Sequence, residues 1–194
     1  MPTTRLESFA KYAGIATVGV EWLALLFYYI LVPAYFGGKY PISYYAYLPQ
    51  TKFIFACCYT LAGFFFWIFI HHHLNKYYQV PIKIFVVSMV FFIALAIIPF
   101  DPTDPMSSKI HQYLGMLSSI FWLIGMLFLI KNAQNKIVSL VTFFTMIISL
   151  VPFFLFLSAP KGSQLIFFLE ASSWLLWQLW IIWISFYSYG HKKI

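Results

Sequence analysis

Charge is what this chain has least of. Only 9% of its 194 residues are Asp, Glu, Lys or Arg, and five of these are acidic. A soluble domain carries about 25% charged residues. Too little polar surface exists to cover a globule in water, so a soluble fold is excluded. With 62% of the residues hydrophobic, the composition is that of an integral membrane protein. Basic residues outnumber acidic ones, twelve to five, but they stand singly between apolar runs. No basic patch forms, which excludes nucleic acid as a partner. Scattered lysines are instead an orientation signal.

Cysteine is nearly missing as well. The only two, Cys57 and Cys58, are adjacent within an apolar run. Vicinal cysteines seldom bridge, and no CxxC occurs, so thiol redox chemistry has no basis. They are expected to be small packing residues. No small-residue cleavage site follows the first apolar run, which should therefore stay as a signal anchor. No long polar linker breaks the chain, so residues 1–194 form a single membrane domain.

What is present is a series of apolar runs. They predict an all-α, polytopic transmembrane bundle of six helices at about 12–36, 51–70, 80–100, 110–130, 137–158 and 165–187. Each run reaches or nearly reaches the roughly 20 residues a span requires. Six spans put both termini on one side. That side carries eight basic residues: Arg5, Lys11, Lys76, Lys83, Lys131, Lys136, Lys192 and Lys193. The other side carries four: Lys39, Lys52, Lys109 and Lys161. The excess predicts cytoplasmic termini in a multi-pass inner membrane protein. Leu31-Val32-Pro33, Ile97-Ile98-Pro99 and Leu150-Val151-Pro152 fall in the odd-numbered helices, a pattern that three duplicated hairpins would produce.

One polar island interrupts the apolar chain. Asp101-Pro102-Thr103-Asp104-Pro105 leads within a few residues to His111, and the topology places this loop outside. His111, Gly115, Ser118, Trp122 and Gly125 recur at steps of four and three and share one helical face. Small residues there allow a neighbouring helix to approach. Glu170 lies about 9 Å inside the outer end of the sixth helix, at 1.5 Å per residue, and Ser173, Trp174 and Trp177 continue its face. Gly14, Thr17, Glu21, Ala24 and Tyr28 mark a second small or polar face, which must turn inward because a carboxylate facing lipid is unfavourable.

Intramembrane ionisable groups mark function. Asp101, Asp104, His111 and Glu170 are the candidate catalytic groups. Glu21, Ser118, Trp122, Ser173, Trp174 and Trp177 are the candidate ligand contacts. Two kinds of chemistry fit them. The acids and the histidine would hold a divalent metal such as zinc, which activates water, although the sequence requires no cofactor. Alternatively, an Asp and His act as an acid–base pair on a lipid head group. A structural reading stands beside both: the aspartates make turns and cap a helix, and His111 pairs with Glu170 to hold the bundle. Glu21 has a similar structural reading, a hydrogen bond to a tyrosine or serine across helices. His71-His72-His73 cannot chelate one ion from a regular helix, because consecutive residues point apart. They are neither the spaced boxes of a membrane desaturase nor the deep pairs of a di-haem cytochrome, and they suit a boundary with lipid phosphates. Tyrosines crowd residues 40–50, as at a membrane interface. Trp174, Trp177, Trp180 and Trp183 form a lipid-facing or packing stripe, or else wall an acyl-chain or amphiphile pocket.

Pro99-Phe100-Asp101-Pro102-Thr103-Asp104-Pro105, with His111, Gly115 and the acid Glu170, resembles the signature of the prokaryotic membrane family catalogued as domain of unknown function 998. That family often has an arginine after the acid, where this chain has Ala171. Tyr40-Pro41-Ile42-Ser43 is similar to the first outer loop of eukaryotic six-helix proteins linked to lipid remodelling and autophagy. Both resemblances imply a six-helix bundle with an outward-facing polar site. The expected function is binding of a lipid or similar amphiphile at that site. The alternatives are a lipid hydrolase or transferase using the Asp/His/Glu cluster, a small transporter, or a scaffold subunit.

Overall fold

The computed structural model describes residues 5–37, 40–75, 82–98, 100–160, 163 and 165–190. In lipid no water satisfies an exposed backbone, so each apolar run closes its own hydrogen bonds as helix. The described residues form α1 (Arg5–Leu31), α2 (Lys52–Phe69), α3 (Ile82–Ile97), α4 (Pro105–Asn132), α5 (Lys136–Ser158) and α6 (Ile166–Gly190), and no strand. All but α3 are long and apolar enough to cross a membrane, which marks a helical membrane protein. The 16 residues of α3 rise about 24 Å, short of a hydrocarbon core of about 30 Å. Residues 80, 81 and 99 of the run expected there lie outside the described residues.

Helix ends differ from the expected ones for local reasons. α1 stops at Leu31, ahead of a 3-10 turn that starts at Pro33. α4 begins at Pro105 rather than near 110, because Asp104 caps it. The Asp104 carboxylate accepts the Met106 N–H at 2.9 Å, and Pro105 stands in the first turn, where its missing donor is no loss. Asn135 caps α5 in the same way, accepting the Ile137 N–H at 2.9 Å. α2 runs on through one π turn, Ile70–Leu74, which contains the three histidines. His71 is exposed, His72 is half-buried, and His73 is buried and stacked on Phe69; the His71 and His72 rings meet edge to face, centroids 4.6 Å apart, while His73 turns inward.

Each helix packs on its neighbour in the chain, and α6 returns to α1, closing a ring of six. The closest pairs are α1 with α2, α3 with α4, and α5 with α6. These are three successive hairpins, the units the proline spacing suggests. Small residues let helices approach α3 closely, both within its hairpin and from the one before. A Cβ added at Gly125 would lie 2.6 Å from the Phe85 ring, and one at Gly63 would lie 2.7 Å from Ile93. The small-residue face of α4 is therefore turned to α3. Its Ser118 exchanges hydrogen bonds with Ser88: Ser88 Oγ donates to the Ser118 carbonyl at 2.8 Å, and Ser118 Oγ to the Ser88 carbonyl at 3.0 Å.

The tyrosine-rich stretch is a packed cover rather than a simple interfacial belt. Its 3-10 turn Ile42–Ala46 buries Ile42, Tyr45 and Ala46. Tyr45 stacks on Tyr28 of α1, ring centroids 4.3 Å apart and 7° from parallel. Tyr45 Oη donates to the Tyr35 carbonyl at 3.0 Å, and Thr51 Oγ1 to the Tyr45 carbonyl at 2.7 Å. Thr51 is fully buried. Ile42 and Tyr45 share the buried face of this turn, because side chains of a 3-10 helix recur every three residues. This cover lies over one end of the ring, called the cap end below.

Candidate functional site

The ring encloses a cavity of about 840 Å³, walled by residues of all six helices and of the cover. A volume of this size accommodates a drug-sized or lipid-like molecule. The cavity starts at the cap end, where Pro41, Ser43, Tyr44, Phe100 and Pro102 line it, and descends to Thr17, Trp122 and Ile181. Between α4 and α5 its edge is formed by Met116 and Leu157, which are 39% and 49% exposed.

The sequence-derived candidates divide cleanly. Eight of them, Glu21, His111, Ser118, Trp122, Glu170, Ser173, Trp174 and Trp177, line this one cavity. Asp101 and Asp104 are not among its lining residues. Both are committed to local backbone. Asp101 Oδ1 accepts the Thr103 N–H at 2.8 Å and the Thr103 hydroxyl at 2.6 Å. Those bonds, the hydroxyl's first, hold the Asp101 carboxyl below the usual carboxylate range. Asp104 is the α4 cap. Among the described residues, no three His, Cys, Asp or Glu side chains converge as a metal site would require. The four-residue cluster expected to bind a metal does not assemble.

The expected His111–Glu170 pair does not form; each has another partner. His111 is 3% exposed, and its Nδ1 lies 3.1 Å from the Ile98 carbonyl oxygen. A carbonyl only accepts, so Nδ1 carries the proton. In the neutral ring Nε2 is then an acceptor, and it has no partner among the described residues. Phe100 lies edge-on to the imidazole, centroids 5.6 Å apart. Glu170 reaches the cover instead: its Oε2 accepts the buried Ile42 N–H, with the Ser43 N–H also directed at the carboxylate. The acid of α6 thus caps the turn that closes the cavity's upper end. It ties Pro41-Ile42-Ser43 to the last helix. Burial, and secondarily this carboxyl, push the Tyr45 phenol above its ordinary range.

A second polar tier lies deeper, around Glu21. Its partner is an amide rather than the expected tyrosine or serine: Gln178 Nε2 donates to Glu21 Oε2. The Gln178 amide cannot turn over without loss, because its Oε1 accepts the Trp22 Nε1–H at 2.9 Å. Glu21 and Gln178 both line the cavity. Nearby, Trp122 and Trp177 stack with centroids 5.4 Å apart, and neither indole N–H has a partner among the described residues. The buried Tyr59 hydroxyl lies within electrostatic reach of both Glu21 and Glu170 and is also unpartnered. Thr17 Oγ1 returns its bond to the Ala13 carbonyl at 3.0 Å. The tryptophan series on α6 is not a lipid-facing stripe. Trp174 meets Tyr59 and Phe92, and Trp180 is buried and donates to Thr142 at 3.0 Å.

Gln178 and the Ile42 amide are the site groups that reading the sequence missed. Gln178 had a signal: it is an uncharged amide in mid-helix, eight residues beyond Glu170. A buried polar side chain at that depth needs a partner. The Ile42 amide had none, because backbone donors leave no mark on side-chain pattern. No family model matches the chain, and no curated protein or solved structure is significantly similar to it.

Proposed function

We propose that the chain is a six-span inner-membrane protein, with cytoplasmic termini, that binds a lipid or similar amphiphile in the cavity of its helix ring. The supporting observation is the cavity itself. About 840 Å³ of space lies within a ring of helices, five of them long and apolar enough to span. It is lined by aromatic rings and a few buried polar groups, the usual make-up of a small-molecule site. The seam between α4 and α5 suits entry from the bilayer. The lysine count turns the cap end outward. The similarity to the domain of unknown function 998 family belongs to this proposal, and it rests on Asp101–Pro105, His111 and Glu170.

The test is the lipid content of purified protein, measured by native mass spectrometry for wild type, His111→Ala and Glu170→Gln. Wild type should carry a stoichiometric amphiphile, and both variants should lose most of it while remaining extractable as monodisperse protein. Unchanged occupancy in both variants would sink the assignment. One observation favours a second reading, a lipid hydrolase: the His111 Nδ1–H is held by a carbonyl, leaving Nε2 as a base, the arrangement a general base needs. In that case His111→Ala would abolish turnover of the bound lipid as well as weaken its retention.

A further inference from the structure

The lining of this cavity constrains its ligand more narrowly than the word amphiphile does. Among the described residues that line it there is no Lys or Arg, whereas two carboxyl groups, Glu21 and Glu170, do line it. The described lysines at the cap end, Lys52 and Lys109, are exposed and outside the lining. An anionic head group would sit beside two acids with no countercharge among the described residues, and burying an unpaired charge is strongly unfavourable. A cation fails for a different reason. The indole N–H groups of Trp122 and Trp177 need an acceptor, and an ammonium has none.

The polar groups also stand at two depths. Glu170 and Gln178 are eight residues apart on α6, about 12 Å along the axis. His111 and Trp122 are eleven apart on α4, about 16 Å. Between the tiers the wall carries Phe55, Phe92 and Trp174, and the hydroxyls of Ser88, Ser118 and Ser173 there are given to backbone carbonyls. Trp122 is 5% exposed and His111 3% exposed, and their free atoms are closed off from bulk water. A plain alkyl tail reaching the lower tier would leave two indole donors unsatisfied, each a loss of about 1–3 kcal/mol.

We infer that the cavity takes an uncharged, elongated molecule with a polar oxygen at each end, a hydroxyl at the upper end and a hydroxyl or carbonyl at the lower, separated by an apolar chain of about 12–16 Å. The upper oxygen meets His111 Nε2 and the lower one meets the paired indoles and Gln178, the side chains adjusting around it. This rests on the amphiphile reading and sharpens it.

The experiment uses wild-type protein in nanodiscs and four probes of equal chain length: dodecanediol, dodecanol, dodecanoate and dodecylamine. An extended twelve-carbon chain spans about 14 Å, given C–C bonds of about 1.5 Å. Binding is read from tryptophan fluorescence, because Trp122 and Trp177 stand at the lower tier, and from thermal stabilisation. The diol should bind at least about thirtyfold tighter than the alcohol, the ratio implied by two unpaired indole donors at the lower end of their cost, and tighter than the acid or the amine. Trp177→Phe keeps the ring and removes one donor; read by thermal stabilisation, it should shrink the diol's advantage severalfold, weakening the diol and relieving the alcohol of one unpaired donor. If alcohol and diol bind equally, the two-ended ligand is overturned but the amphiphile site stands. Tightest binding by the acid or the amine overturns the uncharged class. If none of the four binds, the amphiphile reading falls with it.

Discussion

Glu170→Ala separates a structural acid from a bystander. The carboxylate accepts the N–H of Ile42, a residue only 1% exposed. Alanine leaves that donor buried and unpaired. Such a loss amounts to about 1–3 kcal/mol, and relief of the buried carboxyl's own desolvation trims it. For a chain of this length each kcal/mol moves the melting temperature by about 2–4 °C, so the expected fall is about 2–12 °C. The damage should also be local. The turn Ile42–Ala46 opens more readily, and amide exchange at Ile42 should accelerate about five- to 150-fold, the same energy expressed as a ratio. Amides in the middle of α4 serve as the internal control. Glu170→Gln keeps one oxygen acceptor, so its exchange rate should fall between those of wild type and alanine. The assay is hydrogen–deuterium exchange on protein in nanodiscs, with thermal unfolding alongside. If alanine leaves exchange at Ile42 and the melting temperature both unchanged, the acid does not hold the cover, and the cavity's upper wall has another support.

Two further outcomes follow from the packing and the polar loop. Gly125→Ala puts a methyl 2.6 Å from the fully buried Phe85 ring and should destabilise by about 1–3 kcal/mol. Gly19→Ala adds one where nothing lies within 4 Å and should stabilise by about 0.4–1 kcal/mol; thermal unfolding of the two variants should therefore shift in opposite directions. The Asp101 turn should respond to acid. Its folded pKa lies below the unfolded value, so the turn's contribution is complete above about pH 4 and lost as pH falls through the folded value. Thr103 amide exchange, corrected for its intrinsic pH dependence, should rise on that descent in wild type and stay flat in Asp101→Asn.

The helices were legible because apolar run length and lipid leave the backbone no other option. The inward faces were legible too. Spacing alone marked Thr17, Glu21, Ala24 and Tyr28 on α1, all of them buried, and it marked the α4 face that meets α3. Periodicity shows which way a side chain turns along its own helix but not which neighbour it meets. For that reason His111 and Glu170, both turned inward, were paired in error. The nearest acceptor for His111 was a carbonyl at the end of α3, and the nearest donors for Glu170 were amides of the cover. Each is a backbone group, invisible to side-chain pattern. The aspartates show the opposite case. In Asp-Pro-Thr-Asp-Pro the turn and cap chemistry is written in the residue types, and the structural reading of that loop described its bonds.

The ring explains why a chain so poor in charge keeps two acids within its membrane-crossing helices. A close-packed bundle would leave Glu21 and Glu170 among hydrocarbon, where an unpartnered carboxyl is expensive to bury. Three hairpins joined edge to edge leave a space at the centre, and both acids stand on its wall with a donor already supplied. Glu21 has the Gln178 amide, fixed in turn by Trp22, and Glu170 has the first turn of the cover. Each acid thus has one carboxylate oxygen engaged in a bond that holds two elements together. His111 is differently placed. Its proton is fixed on the side of the α3 carbonyl, and its other nitrogen has no partner among the described residues. If the cavity supports chemistry as well as binding, the reacting base is the histidine, and the two acids are what keep the space around it open.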